Sequence, residues 1–284
     1  MYMEYYGLSG DPFRLAHDFR NLYSQPTFVK AGSYLQYGMQ SGDGIVLISG
    51  KAGTGKTTVI NSVLNEARQL SNQASVIECV DFDGAQLLSY YARLLGDDSP
   101  QQTLTDSIHW ITGNLLKQSE QGRHPILVLD EAHHLTDDAL TKLTLLANLQ
   151  KHGAPLVQIF LVGQPAIWEK INQPQHEQLH QRLMATCEIA PLTVDETREY
   201  ILQNLQAVGW NNKPAIASNV YTEVHRSSLG IRRWINLICS RLMLHAMAHD
   251  RQELELQDLC EVISDLISER LLPQEIRESN LLAA

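Results

Sequence analysis

The sequence predicts an α/β fold with a parallel sheet flanked by helices, followed by a smaller all-helical domain. Residues 44–183 alternate between short apolar runs and longer helical patterns, which is typical of a parallel sheet with crossover helices. After Pro191 we find no strand-like run, and every segment suits a helix. A chain of 284 residues is long enough for both parts. We therefore predict two domains, 1–190 and 191–284.

The elements of the first domain follow from its apolar runs. A strand covered by helices on both faces has apolar residues on both, so it forms a continuous apolar run. Four runs fit, at residues 45–49, 75–80, 126–129 and 156–162. Helical patterns lie between and after them, at residues 57–70, 84–95, 104–117 and 137–151.

The second domain contains four helical segments, at residues 194–208, 215–224, 232–249 and 256–271. Acidic residues at 195 and 196 suit the first turn of a helix, where they face the positive end of the helix dipole. Gly209 and Gly230 lie where helices are expected to end.

The charge balance excludes a uniformly basic nucleic-acid-binding protein. The chain has 22 Lys and Arg against 32 Asp and Glu, a net charge of -10. Binding to DNA through phosphate neutralisation alone needs the opposite balance. We find no run of about 18 apolar residues, as a membrane-spanning helix requires. The first residues lack the features of a secretory signal, so we expect a cytoplasmic protein.

Residues 50–57, Gly-Lys-Ala-Gly-Thr-Gly-Lys-Thr, fit the phosphate-binding pattern G-x-x-x-x-G-K-[ST]. They follow a predicted strand and precede a predicted helix, so backbone N–H groups can surround a phosphate at the helix N-terminus. Lys56 should reach the β- and γ-phosphates, and the Thr57 hydroxyl should bind Mg²⁺. The alternative is an ordinary glycine-rich turn. We predict that ATP is held by Gly50, Ala52, Gly53, Thr54, Gly55, Lys56, Thr57 and Thr58.

Two carboxylates, Asp130 and Glu131, directly follow the apolar run at 126–129. A buried strand delivers such acids to the carboxyl edge of its sheet. Asp130 should then hold the magnesium, and Glu131 should orient or deprotonate the attacking water. An acid pair at a strand end is common, but its occurrence after the phosphate-binding loop favours the catalytic interpretation.

Together these features resemble an AAA+ ATPase. The similarity is greatest to the family of general secretion pathway protein A, which includes pilus-biogenesis (MSHA-type) and exosortase-associated ATPases. It extends over roughly residues 5–270. Further segments carry it: Tyr6-Gly7-Leu8 with Pro12-Phe13, Leu161-Val162-Gly163-Gln164-Pro165, Pro191-Leu192-Thr193 with Glu196-Thr197, and Arg233 with Ile235-Asn236 and Cys239.

The resemblance implies three further site residues. Gln164 takes the sensor 1 position beside the γ-phosphate and the attacking water. Arg182 matches the arginine finger, which a neighbouring subunit supplies. Arg233 matches the sensor 2 arginine of a helical lid. The family usually has Pro-Arg-Arg where this chain has Arg232-Arg233-Trp234, so either arginine is a candidate for the nucleotide contact and we favour Arg233.

Two other motifs suggest different chemistry. His176-Glu177-Gln178-Leu179-His180 has the H-E-x-x-H spacing of a zinc site, but a hydrolytic zinc ion needs a third ligand. The resemblance implies instead that this stretch is the variable helix leading into Arg182, and we favour that interpretation. Arginines at 226, 232, 233 and 241 lie in a stretch without acids and form a candidate DNA contact. We favour the alternative that one of them serves ATP and the others pair with acids elsewhere.

We therefore predict an ATP hydrolase that uses Mg²⁺ and assembles into a homo-oligomeric ring or filament with ATP at its subunit interfaces. The resemblance implies work on cell-envelope machinery such as secretion, pilus or exopolysaccharide export. It also implies a protein partner there, in the cytoplasm or at the periphery of the inner membrane. The alternative is an ATP-dependent DNA-binding regulator similar to the AAA+ selectors of transposition targets.

Overall fold

The computed structural model describes residues 2–14, 26–42, 44–69, 73–99, 103–274 and 276. The chain divides into two compact units. The α/β unit comprises the described residues of Pro26–Ala52 and Lys56–Ile189. The helical unit comprises the described residues of Met1–Gln25, Gly53–Gly55 and Ala190–Ala284.

The elements follow in chain order. Up to the end of the sheet they are α1 (Tyr2–Tyr5), α2 (Pro26–Ser41), β1 (Ile45–Ser49), α3 (Lys56–Gln69), β2 (Ala74–Glu78), α4 (Gly84–Leu94), α5 (Leu104–Glu120), β3 (Ile126–Asp130), α6 (Asp137–Ala147), β4 (Gln150–Lys151), β5 (Ala154–Pro155), β6 (Gln158–Gly163), α7 (Ala166–Ile171), α8 (Glu177–His180) and β7 (Leu183–Glu188). From there on they are α9 (Val194–Ala207), β8 (Ala215–Ile216), α10 (Ser218–Ser228), α11 (Arg232–Ala248), β9 (Glu253–Leu254) and α12 (Leu256–Ser268).

The core of the α/β unit is a five-stranded sheet in the order β2-β3-β6-β1-β7, and every pair in it is parallel. The prediction of a parallel sheet flanked by helices is confirmed. Strands β1 and β6 are buried along their whole length, which explains their unbroken apolar runs. Because the strands are parallel, β1, β3 and β6 all end at one edge of the sheet.

Strand β7 has no counterpart among the predicted strands. Its sequence, Leu-Met-Ala-Thr-Cys-Glu, is not a continuous apolar run. It lies at the edge of the sheet, and of its six residues only Cys187 is fully buried. A strand that is covered incompletely does not need a continuous apolar run, and β2 at the opposite edge of the sheet is also only partly buried.

Two helices are shorter than predicted, because short strand pairs occupy part of each predicted range. Helix α6 ends at Ala147, and residues 150–155 contain the antiparallel pair β4–β5. Helix α10 starts at Ser218, because Ala215 and Ile216 pair with β9. The prediction that no strand follows Pro191 was therefore wrong. Strands of two residues are too short to show an apolar period.

The helical unit has a core of its own, built mainly from α9, α10, α11 and α12. Four residues near the N-terminus, which the sequence analysis assigned to the first domain, are buried in this same core: Tyr2, Tyr6, Leu8 and Phe13. Both glycines expected at helix ends lie there with positive φ, Gly209 after α9 and Gly230 after α10. A Cβ on Gly230 would lie 2.2 Å from the Leu192 carbonyl oxygen, whereas a Cβ on Gly209 would meet nothing within 4 Å.

These two glycines form a matched test of the helical unit. Gly209→Ala adds only the strain of positive φ, about 1 to 2 kcal/mol. Gly230→Ala adds the same strain and a clash with backbone, which should cost at least about 1 kcal/mol more. Denaturant unfolding of both variants measures the difference. Equal losses of unfolding free energy would contradict the close packing of Gly230 against Leu192.

Candidate functional site

The phosphate-binding loop joins the carboxyl end of β1 to the start of α3, as predicted. Gly53 and Gly55 have φ of 80° and 97°, a region that favours glycine. Lys56 is buried, and its Nζ donates to the carbonyl oxygens of Gly50 at 2.9 Å and Lys51 at 3.2 Å. Burial lowers the pKa of Lys56, and the nearby carboxylates of Glu131 and Asp130 oppose that shift.

Thr57 and Asp130, 73 residues apart in sequence, meet at this edge of the sheet. Thr57 Oγ1 donates to Asp130 Oδ2 at 3.1 Å, and Asp130 Oδ1 accepts the Glu131 N–H at 2.9 Å. A hydroxyl and a carboxylate are hard oxygen ligands of the kind Mg²⁺ takes, usually completed by water and substrate phosphates. The two side chains therefore fit the predicted magnesium ion in chemistry and in position.

Glu131 leaves the strand in a left-handed conformation, with φ of 52°. Non-glycine residues in this region are uncommon and concentrate at functional sites. Its Oε2 atom is buried and accepts no hydrogen bond of regular geometry from the described residues. Gln164 directly follows β6, the strand beside β3, so both residues lie at the same edge of the sheet.

His133 lies between Glu131 and Gln164 and was missed by the sequence analysis. Its Nε2 is 3.0 Å from Gln164 Nε2, and its Nδ1 is 3.3 Å from Glu131 Oε2. The sequence did contain a signal, because residues 130–133 spell Asp-Glu-Ala-His. The spacing along the chain does not indicate that a histidine three residues after the end of a strand lies beside the residues of this site.

Arg182 lies at the other end of the strands. It directly precedes β7, and its carbonyl oxygen accepts the N–H of Ile45, the first residue of β1, at 2.8 Å. The phosphate-binding loop starts after Ser49, one strand length away. A five-residue strand spans about 13 Å between its first and last residues. Arg182 is therefore at the edge of the sheet opposite Thr57 and Asp130.

The two candidate lid arginines have different environments. Arg232 is buried in the helical unit and donates through Nη1 to the carbonyl oxygen of Thr54, which belongs to the same unit. Burial lowers its pKa to about 10. Arg233 is exposed; its N–H donates to the Gly53 carbonyl oxygen at 3.2 Å, and its guanidinium lies 5.5 Å from the ring centre of Trp234.

The remaining arginines of this stretch are paired with acids. Arg226 donates to Glu223, three residues earlier on α10, and Arg241 donates to Glu269 at 2.8 Å. This agrees with the interpretation favoured from the sequence, in which the arginines not serving ATP pair with acids.

The H-E-x-x-H motif does not form a zinc site within the part of the chain that the structure describes. His176 Nε2 lies 3.1 Å from Asp137 Oδ1, and helix α8 spans only four residues. No group of three or more His, Cys, Asp or Glu side chains suited to a metal ion occurs among the described residues.

Comparison with known proteins supports the same class. Residues 39–171 match the family described as the AAA domain. Over 251 residues the chain is 33% identical to general secretion pathway protein A of Aeromonas hydrophila. The match covers 87% of this chain and 45% of that protein, so the chain spans less than half the length of its relative.

Solved structures show the same fold at low sequence identity. Cdc6p of Pyrobaculum aerophilum is similar with a TM-score of 0.69 and 16% identity, over 90% of this chain and 70% of that one. The ORC2 protein of Aeropyrum pernix, in its ADPNP-ADP complexes, has a TM-score of 0.63 and 14% identity, over 89% and 71%. Within the described residues, no helix combines the length and apolar character needed to cross a membrane. Residues 39–171 thus carry an AAA domain, and the chain is similar to general secretion pathway protein A over most of its own length.

Proposed function

We propose that this ATPase hydrolyses ATP with Mg²⁺ at interfaces between copies of itself. The observation that carries the proposal is the 3.1 Å contact between Thr57 Oγ1 and Asp130 Oδ2. It brings together the phosphate-binding loop and the acidic strand end, the two parts that phosphoryl transfer to water requires. The magnesium ion would neutralise charge on the phosphates, and Thr57 and Asp130 would hold it.

The other residues at the edge of the sheet where β1, β3 and β6 end have roles that follow from their positions. Lys56 binds the phosphates, together with backbone N–H groups of residues 50–58. Glu131 orients or deprotonates the attacking water, since its carboxylate lies at the same edge. Gln164, which follows the neighbouring strand, contacts the γ-phosphate or the water. Arg233, exposed beside Gly53, takes the lid contact to the nucleotide.

The position of Arg182 supports catalysis between copies. A guanidinium that stabilises the transferring phosphoryl group must reach it. Arg182 is about one strand length from the phosphate-binding loop of its own chain. A neighbouring copy bound head to tail would bring its Arg182 to this edge instead, and such heterologous contacts generate rings or filaments.

We further propose that this activity serves the assembly of cell-envelope machinery, through a protein partner in the cytoplasm or at the inner-membrane periphery. The support is the similarity to general secretion pathway protein A, of which the chain spans 45%. The pairing of Arg226 and Arg241 with glutamates gives the DNA-binding alternative no support from that cluster.

Two substitutions separate nucleotide binding from turnover. Lys56→Ala should abolish ATP binding, because the phosphates lose their cation. Glu131→Gln should bind ATP normally and lower kcat by about 100-fold or more, because the amide is not a base. Calorimetric titration with ATP and a phosphate-release assay measure the two effects.

Lys51→Ala is the matched control for the loop, because it keeps the carbonyl that accepts from Lys56 and truncates a side chain that is exposed. Its affinity and kcat should match those of the unsubstituted protein. Full turnover by Glu131→Gln, or tight ATP binding by Lys56→Ala, would exclude this site as the place of hydrolysis.

Mixing two inactive variants tests catalysis between copies. Arg182→Ala retains Glu131, and Glu131→Gln retains Arg182, so a mixed assembly contains some complete interfaces. At equal concentrations of the two variants, about a quarter of the head-to-tail interfaces should contain both Glu131 and Arg182. The ATPase activity of the mixture should then be about a quarter of that of the unsubstituted protein.

Arg123→Ala, which removes an exposed arginine elsewhere on the same unit, is the control and should be active alone. If Arg182→Ala is fully active at every protein concentration, or if the mixture stays inactive while both variants assemble, Arg182 does not act in a neighbouring copy.

A further inference from the structure

The 3₁₀ turn at Ala132–His134 directly follows Glu131 and packs against the end of β6. A Cβ on Gly163 would lie 3.1 Å from the backbone nitrogen of His133, so the two segments are in close contact. Lys170 on α7 also holds the turn, donating to the carbonyl oxygens of His133 at 2.7 Å and Leu135 at 2.8 Å. The backbone of the turn is thus fixed by groups other than the His133 ring.

The fixed turn directs the His133 ring between two residues of the proposed catalytic edge. The side chain is 11% exposed. Its Nε2 lies 3.0 Å from the Gln164 side-chain nitrogen, and its Nδ1 lies 3.3 Å from Glu131 Oε2. That carboxylate oxygen is buried and accepts no regular hydrogen bond from the described residues. At 3.3 Å the Nδ1 contact is itself not a regular hydrogen bond, so the imidazole lies beside this carboxylate in position to donate to it.

The hydrogen-bonding chemistry of imidazole makes these two contacts dependent on each other. Burial and the adjacent His134 lower the pKa of His133, and the Glu131 carboxylate opposes that shift. A neutral imidazole carries a single N–H and one acceptor nitrogen. When Nε2 accepts the Gln164 amide N–H, the proton is on Nδ1 and can be donated to Glu131.

A competing contact defines a second state. The backbone N–H of Gln164 also points at Nδ1, at 3.4 Å, and needs that nitrogen as an acceptor. The ring proton is then on Nε2, facing the Gln164 amide, which must present its oxygen. In this state Nδ1 has no proton to give to Glu131. The orientation of the Gln164 amide thus decides whether His133 holds the carboxylate.

We propose that His133 is a positioning residue that transmits the orientation of the Gln164 amide to the Glu131 carboxylate. The proposal rests on the function proposed above, in which Gln164 contacts the γ-phosphate or the water and Glu131 activates the water. Conversion of the bound nucleotide from triphosphate to diphosphate would remove the γ-phosphate beside Gln164. The contact of His133 with the Glu131 carboxylate would then change. Sequence spacing alone does not reveal this link, because residues 131 and 164 follow different strands.

A double-mutant cycle between His133 and Gln164 tests the link. His133→Ala and Gln164→Ala should each lower kcat by about tenfold, the equivalent of one hydrogen bond, while ATP affinity changes less than about threefold. The double variant should be no slower than the slower single variant, because both remove the same link. His133→Asn, whose amide can reach the position of Nδ1, should recover part of the rate.

Arg123→Ala, which removes an exposed side chain elsewhere on the same unit, is the control and should keep kcat within about twofold. Wild-type kcat for His133→Ala, or multiplicative losses in the double variant, would overturn the link to Gln164. A failure of the proposed function is distinguishable, because it would appear as ATP turnover that is insensitive to Glu131→Gln in the otherwise unsubstituted protein.

Discussion

Parallel strands ending at a common edge are the constraint on which the rest of this structure depends. In a sheet ordered β2-β3-β6-β1-β7, the ends of β1, β6 and β3 are adjacent, although 114 positions separate Gly50 from Gln164 in sequence. The phosphate-binding loop, Asp130 and Gln164 are brought together by this arrangement. The 3.1 Å contact between Thr57 and Asp130 is its direct result.

Residues whose position follows from their own strand could be predicted from the sequence. The loop at 50–57 and the pair Asp130-Glu131 each adjoin a buried apolar run, and buried runs are easy to recognise. Strand β7 was not recognised because Thr186 and Glu188 interrupt its apolar residues. Incomplete burial alone is not the reason, since the edge strand β2 is also only partly buried and was predicted. The strands β8 and β9 form because two distant segments pair with each other, and two residues are too few to show an alternation of apolar and polar residues.

Residues that act through contacts between segments were harder to predict. The two arginines at the start of α11 look equivalent in sequence, yet Arg232 is buried against the Thr54 carbonyl and Arg233 is exposed. The spacing of residues 130–133 gives no indication that His133 lies beside Gln164, since that contact depends on how a three-residue turn packs against β6. Such contacts require the backbone positions of two segments, which spacing along one segment does not provide.

A structure of the Glu131→Gln variant with ATP and Mg²⁺ tests the proposed site most directly. We expect phosphates against the backbone of residues 50–58 and a metal ion about 2.0 to 2.1 Å from Thr57 Oγ1. We also expect Arg182 of a neighbouring copy to approach the γ-phosphate. A nucleotide bound elsewhere, or a metal ion remote from both Thr57 and Asp130, would contradict the proposed site.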